Sequence, residues 1–124
     1  MNPLWRAGAL ALVLLSGGLL ALSCGSSTPS SPSGGAADVM ITINGINGTM
    51  SFSPASATLK VGQTVAWRNA DSITHAPIQD TGVFDVGDVP GGSTSAAIKM
   101  GTAGTFGYHC AIHPVMVGSL TVNP

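Results

Sequence analysis

From Asp38 onward, apolar residues recur at alternate positions in short runs, and Gly, Pro, Asn and Asp interrupt every one of them. Val39-Met40-Ile41-Thr42-Ile43 runs into the turn-rich Asn44-Gly45-Ile46-Asn47-Gly48, and Met50-Ser51-Phe52-Ser53 stops at Pro54. Ala57-Thr58-Leu59-Lys60-Val61 passes through Gly62-Gln63 into Thr64-Val65-Ala66-Trp67-Arg68-Asn69. Further runs cover Ser95 to Lys99, Thr105 to Cys110 and Val117 to Val122. Side chains on a strand point to opposite faces in turn, so Val65 and Trp67 share one face while Thr64, Ala66 and Arg68 share the other. No amphipathic helical stretch with capping signals follows Asp38. Short strands at this spacing predict an all-β Greek-key β-sandwich over residues 38–124, one small domain with one core. An immunoglobulin-like or adhesive module has the same pattern, so the activity has to be sought in particular side chains.

The segment before this domain reads as an address. Arg6 is the only charged side chain ahead of Asp38, and Ala7 to Leu22 is almost wholly apolar. A short positive start, an apolar stretch and small residues at its end make a secretory signal over residues 1–23. The end, Leu20-Ala21-Leu22-Ser23-Cys24-Gly25, resembles a bacterial lipoprotein signal, in which Cys24 becomes the lipidated first residue. Ala21 stands where such signals usually carry Leu, and cleavage before Cys24 by an ordinary signal peptidase is the alternative. A retained membrane helix is a third reading, although Gly17-Gly18 interrupts a run of marginal length. All three place the domain outside the cytoplasm, in the periplasm or at the cell surface. Residues 24–37 hold only small side chains, Ser, Gly and Pro among them, and form a flexible tether. A lipidated Cys24 cannot pair with Cys110, so the disulfide expected of an exported two-cysteine domain gives way to a free thiol.

Charge narrows the partners. Charged residues make up 7% of the chain, Glu is absent and the formal net charge is −1, so the basic stripe of a nucleic-acid binder is missing. Electrostatic steering is correspondingly weak, and recognition rests on apolar contact and shape.

The segment that carries chemistry is Cys110-Ala111-Ile112-His113-Pro114-Val115-Met116, a C-x2-H-x2-M pattern directly after the run Phe106 to Cys110. Phe106, Tyr108 and Cys110 alternate onto the core face, and His109 points away. A thiolate, an imidazole and a thioether within one loop suit copper, whereas a closed structural zinc site recruits more Cys, His or carboxylate ligands. Taken singly, each residue also has an ordinary structural role: Cys as a small buried hydrophobe, Met as a gap filler, His as a loop cap. A second histidine is needed to complete a trigonal plane. His75 and His109 are the candidates, and the outward face of His109 and its adjacency to Cys110 favour His75.

The stretch Val61-Gly62-Gln63-Thr64-Val65-Ala66-Trp67-Arg68-Asn69-Ala70-Asp71 through Thr74-His75 resembles the plastocyanin and amicyanin group of cupredoxins. Gly104-Thr105-Phe106-Gly107-Tyr108-His109-Cys110 resembles the same group, and the short ligand loop is more similar to that of amicyanin. The resemblance covers the whole of Asp38 to Pro124, with the motifs in the family's order. It implies that His75, Cys110 and His113 hold one copper ion in a plane with Met116 as a weak axial ligand, and that the ion alternates between Cu(I) and Cu(II).

It further implies a monomeric electron carrier rather than an enzyme, exchanging single electrons with redox proteins in brief contacts, and touching a membrane only through the anchor. Electrons would cross the edge of His113, in an apolar docking patch of Pro114, Val115 and Pro77. Trp67, Phe106 and Tyr108 are assigned to the core. The Ala76 and Ile112 N–H groups are candidate donors to the Cys110 sulfur. Many relatives carry Pro where Ile112 stands, so an extra sulfur hydrogen bond would raise the reduction potential, and Ile112→Pro would lower it. Two rival readings are a periplasmic copper buffer or chaperone and a metal-free structural β-domain. The closed four-residue ligand set speaks against both.

Overall fold

The computed structural model describes residues 36–124; the signal segment, Cys24 and the tether up to residue 35 lie outside the described residues. Eight strands form two four-stranded sheets with no α-helix among the described residues. They are β1 (Val39–Ile43), β2 (Phe52–Ser53), β3 (Ser56–Lys60), β4 (Thr64–Asn69), β5 (Pro77–Gln79), β6 (Ile98–Lys99), β7 (Gly104–Cys110) and β8 (Val117–Asn123). One sheet runs β2-β1-β4-β6 and the other β3-β8-β7-β5. Both are mixed: β1 lies parallel to β4 and β3 parallel to β8, while the other pairs are antiparallel. Parallel neighbours cannot be joined by a hairpin, so the chain crosses between the sheets, which is what makes the all-β sandwich a Greek key.

Alternation puts Ile41, Ile43, Val65 and Trp67 from one sheet against Leu59, Tyr108, Leu120 and Val122 from the other, all buried. At the centre Trp67 meets Tyr108 edge-on, with ring centroids 5.5 Å apart, and Phe52 meets Tyr108 at 4.9 Å. Such pairs add about 0.5–1.5 kcal/mol each beyond the area they bury. Phe106, expected in the core, is only partly buried at its margin.

Two expected strands are shorter than their sequence patterns because side chains and turns compete for the backbone. Ahead of β2, Gly48–Met50 forms a 3₁₀ turn, closed by Met50 N–H on Asn47 C=O at 3.0 Å. The buried Ser51 supports it, its Oγ accepting from Asn47 N–H at 2.8 Å. Ahead of β6, Ser95 Oγ rather than a backbone carbonyl accepts from Trp67 N–H at 3.0 Å, so the regular ladder begins only at Ile98.

β5 was not expected, because Pro77 interrupts its pattern. Proline is tolerated as the first residue of a strand, where its missing N–H costs nothing, and there it sits, paired with Cys110. This corrects one expectation: Pro77 is buried under that pairing and takes no part in an exposed docking patch. The other end of β5 is fixed by Gln79, whose Oε1 accepts from Thr81 N–H (2.8 Å), Thr81 Oγ1 (3.0 Å) and Val83 N–H (2.9 Å).

Candidate metal centre

β7 delivers Cys110 to the end of the sandwich with its side chain inward and fully buried. Two consecutive turns follow: His113 N–H donates to Cys110 C=O at 3.2 Å, and Met116 N–H donates to His113 C=O at 3.0 Å. Cys110 N–H then donates to Met116 C=O at 3.0 Å, which closes the loop. The spacing C-x2-H-x2-M is therefore the spacing of two i-to-i+3 turns, and it returns Met116 beside Cys110 as β8 begins. Met116 is fully buried and His113 partly exposed.

His75 arrives from the loop between β4 and β5, two residues ahead of the strand that pairs with β7. Its backbone pairs with Val89 in both directions, His75 N–H to Val89 C=O at 3.1 Å and Val89 N–H to His75 C=O at 2.7 Å, and its imidazole is fully buried. The Cys110 Sγ lies 3.8 Å from His75 Nδ1 and 3.8 Å from His113 Nδ1. The three donor atoms all fall within 4.8 Å of one another, and the two imidazole rings stand 5.2 Å apart at 62°.

Asp71 completes the shell around His75. Its Oδ2 lies 2.9 Å from His75 Nε2. An ionised carboxylate only accepts, so Nε2–H donates to it, and Nδ1 is the ring nitrogen left facing the sulfur. That hydrogen bond, then the Ser72 N–H, holds the Asp71 carboxyl below the usual range.

The sulfur receives one backbone hydrogen bond among the described residues, from Ala76 N–H at 3.3 Å. Ile112 makes no such bond here, contrary to the expectation that it would be a second donor. The turn at this point is closed by the His113 N–H, and the donor that reaches sulfur comes across the sheet from the start of β5. His109 stands apart from the cluster, partly exposed, with Nδ1 2.7 Å from Asp80 Oδ1.

The donor set fits copper. Thiolate and imidazole bonds of about 2.0–2.3 Å set at a trigonal angle separate S and N donors by roughly 3.8 Å, which is the spacing present. Two imidazoles and a thiolate, with a thioether on a following turn, are the ligands of a blue-copper site.

A sequence model described as copper binding proteins, plastocyanin/azurin family, matches residues 39–123. The chain belongs to this family. Plastocyanin from Scenedesmus fuscus is 33% identical over 103 residues, spanning 69% of this chain and 100% of that protein. Chloroplastic plastocyanin from Tetradesmus obliquus is 32% identical over 91 residues, 62% of this chain and 61% of the relative. Among solved structures, a purple cupredoxin from Nitrosopumilus maritimus superposes with a TM-score of 0.59 at 28% identity, covering 69% of this chain and 100% of that one. A Cu(I) amicyanin variant gives a TM-score of 0.59 at 26% identity, covering 68% of this chain and 81% of that one. This cupredoxin thus shares with plastocyanin and amicyanin a copper cofactor and an electron-carrying role, and it is not an enzyme.

Neither the Asp71 contact to His75 nor the Asp80 contact to His109 was anticipated from sequence. A carboxylate four residues before a ligand histidine, within one short loop, was the available signal for the first.

Proposed function

We propose that His75, Cys110, His113 and Met116 hold one copper ion and that the domain shuttles single electrons between extracytoplasmic redox proteins. The observation that carries the reading is the Cys110 sulfur set 3.8 Å from the Nδ1 atoms of two histidines brought from separate parts of the fold. Bound copper supplies a one-electron Cu(I)/Cu(II) couple. The protein's part is to keep the donors still. Cys110, His113 and Met116 are tied in a ring of backbone bonds, and His75 is locked to Val89 and Asp71, so the ligands need little rearrangement between the two oxidation states. The N–H of Ala76 withdraws charge from the sulfur and favours Cu(I).

His113 is the ligand nearest solvent, and its neighbours Ile112, Pro114 and Val115 are all exposed, Val115 at 63%. Met50, at 74% exposure, projects from the 3₁₀ turn that packs against β8. An uncharged apolar rim around the outermost ligand suits short-lived docking of redox proteins. The domain acts as a monomer. The signal over residues 1–23 would direct export, and lipid on Cys24 with the tether over residues 24–37 would then hold the domain at the outer face of a bacterial membrane. An intact mass matching an unmodified N-terminus would rule out the anchor and leave a soluble secreted carrier.

Reconstitution with Cu(II) tests the copper reading. An intense visible thiolate-to-copper band, small copper hyperfine splitting and a reversible one-electron wave are expected. A colourless protein refutes the site, and a blue protein with no reversible wave points instead to copper storage.

A further inference from the structure

We propose that Asp71 is a positioning residue for the copper centre: its carboxylate fixes the tautomer of His75 and, through its charge, lowers the reduction potential. The proposal rests on the copper reading above and concerns a residue outside the ligand set.

The contact is constructed rather than incidental. Asp71 Oδ1 accepts from Ser72 N–H at 2.7 Å, which orients the carboxylate, and Asp71 N–H donates to Asn69 Oδ1 at 2.9 Å. Asn69 is fully buried at the end of β4, and its Nδ2 donates to Ile73 C=O at 2.7 Å and Val89 C=O at 2.9 Å. One asparagine therefore ties the loop between β4 and His75 to Val89, the residue that also pairs with the His75 backbone. Two glycines leave room for this arrangement. A Cβ on Gly45 would stand 3.2 Å from Asp71 Oδ2, and a Cβ on Gly91 would stand 2.5 Å from Ser72 C=O.

The chemistry follows from that geometry. An imidazole free in solution exchanges its proton between two nitrogens, and only the form with Nδ1 unprotonated can donate to a metal on the sulfur side. A carboxylate against Nε2 selects that form and makes the ring a stronger donor, as carboxylate partners of ligating histidines do. A stronger donor backed by negative charge stabilises Cu(II) more than Cu(I), so the potential falls. No Lys or Arg forms a salt bridge with Asp71 among the described residues, so its charge is not cancelled locally. Among the described residues His113 has no carboxylate partner. The centre is thus asymmetric, with one ligand histidine anchored to an anion inside the fold and the other meeting solvent.

The test uses the full domain with Asp71→Asn, which keeps an oxygen acceptor for Nε2–H but removes the charge, Asp71→Ala, which removes both, and Asp71→Glu as the conservative control. Nitrogen-15 NMR of metal-free protein reads the His75 tautomer. Voltammetry of copper-loaded protein reads the potential. The expected results are a single Nε2–H tautomer in wild type and Asp71→Asn, a mixture in Asp71→Ala, a higher potential in Asp71→Asn and Asp71→Ala, and a return toward wild type in Asp71→Glu. A blue Asp71→Asn protein with the wild-type potential overturns the electrostatic role, and an unchanged tautomer in Asp71→Ala overturns the positioning role. Because the tautomer is read without metal, a wild type that takes up no copper defeats the copper reading and the effect on potential, while positioning is still decided by NMR.

Discussion

Ala76 and Cys110 are stitched together at the junction of β5 and β7: Ala76 N–H donates to the Cys110 sulfur at 3.3 Å, and Ala111 N–H returns to Ala76 C=O at 2.8 Å. The residue after one histidine of the cluster is thereby bonded to the cysteine, and the residue after that cysteine is bonded back. The distance between His75 and Cys110 is consequently set by sheet backbone rather than by side-chain preference. Substitutions of the donors should therefore change the metal chemistry while leaving the fold in place.

Cys110→Ser replaces the thiolate with a hydroxyl that ionises far less readily and has no low-energy charge-transfer transition. The expected outcome is complete loss of the intense visible band on Cu(II) addition, with the β-sheet signal in circular dichroism retained.

Met116→Leu removes a weak sulfur donor that stabilises Cu(II) more than Cu(I). The reduction potential should rise and the visible band should persist. A near-isosteric exchange in a core costs less than about 1.5 kcal/mol, so thermal denaturation should move only slightly.

Val115→Asp puts a charge on the apolar rim beside His113. Electron self-exchange, which needs two such rims to meet, should slow on the order of tenfold, equivalent to ~1.4 kcal/mol in the encounter. NMR line broadening in mixtures of oxidised and reduced protein measures it, and the potential should stay where it is.

Gly118→Ala and Gly107→Ala separate a rigid clash from a soft one. A Cβ at Gly118 would lie 2.4 Å from the Tyr108 ring and hydroxyl, which the core holds fixed, and overpacking of that kind costs about 1–3 kcal/mol. A Cβ at Gly107 would lie 2.5 Å from Asp80 Oδ2, the movable end of an exposed side chain. It should break the Asp80–His109 contact at little cost in stability. Urea denaturation should rank Gly118→Ala well below Gly107→Ala.

Alkaline pH should destabilise the fold through Tyr108. Burial pushes its hydroxyl up from 10.0 to about 12. A folded value above the unfolded one means that the contribution is fully present below pH 10.0 and is lost as pH rises toward about 12. Tyr108 is the only tyrosine, so tyrosinate absorbance reports this one group. Its appearance should coincide with unfolding, and Tyr108→Phe should remove this part of the alkaline loss.

Local geometry explains what could be read from the sequence. Period-two alternation located β1, β4, β7 and β8 closely, because the alternation is a property of extended backbone and needs no partner strand. The ligand loop was legible for a similar reason: Cys110, His113 and Met116 are separated by the span of single turns, so their convergence is decided within seven residues. His75 was reached by elimination and by family resemblance, since nothing in its own neighbourhood says which cysteine it will meet.

Tertiary closure decided the remainder. Whether Pro77 was surface or strand depended on Cys110 lying opposite it, and burial under that pairing removed it from the docking rim. Whether Ala76 or Ile112 bonded the sulfur depended on which N–H the packed sheets aimed at it, and only Ala76 was so placed. Asp71 became a partner of His75 because buried Asn69 folds the intervening loop back onto Val89. The sequence by itself determined the strands and a copper-type donor set, which depend on dihedral preference and short spacing. The environment of those donors was settled only when the two sheets came together, because hydrogen bonds between distant segments form only once the backbone is packed.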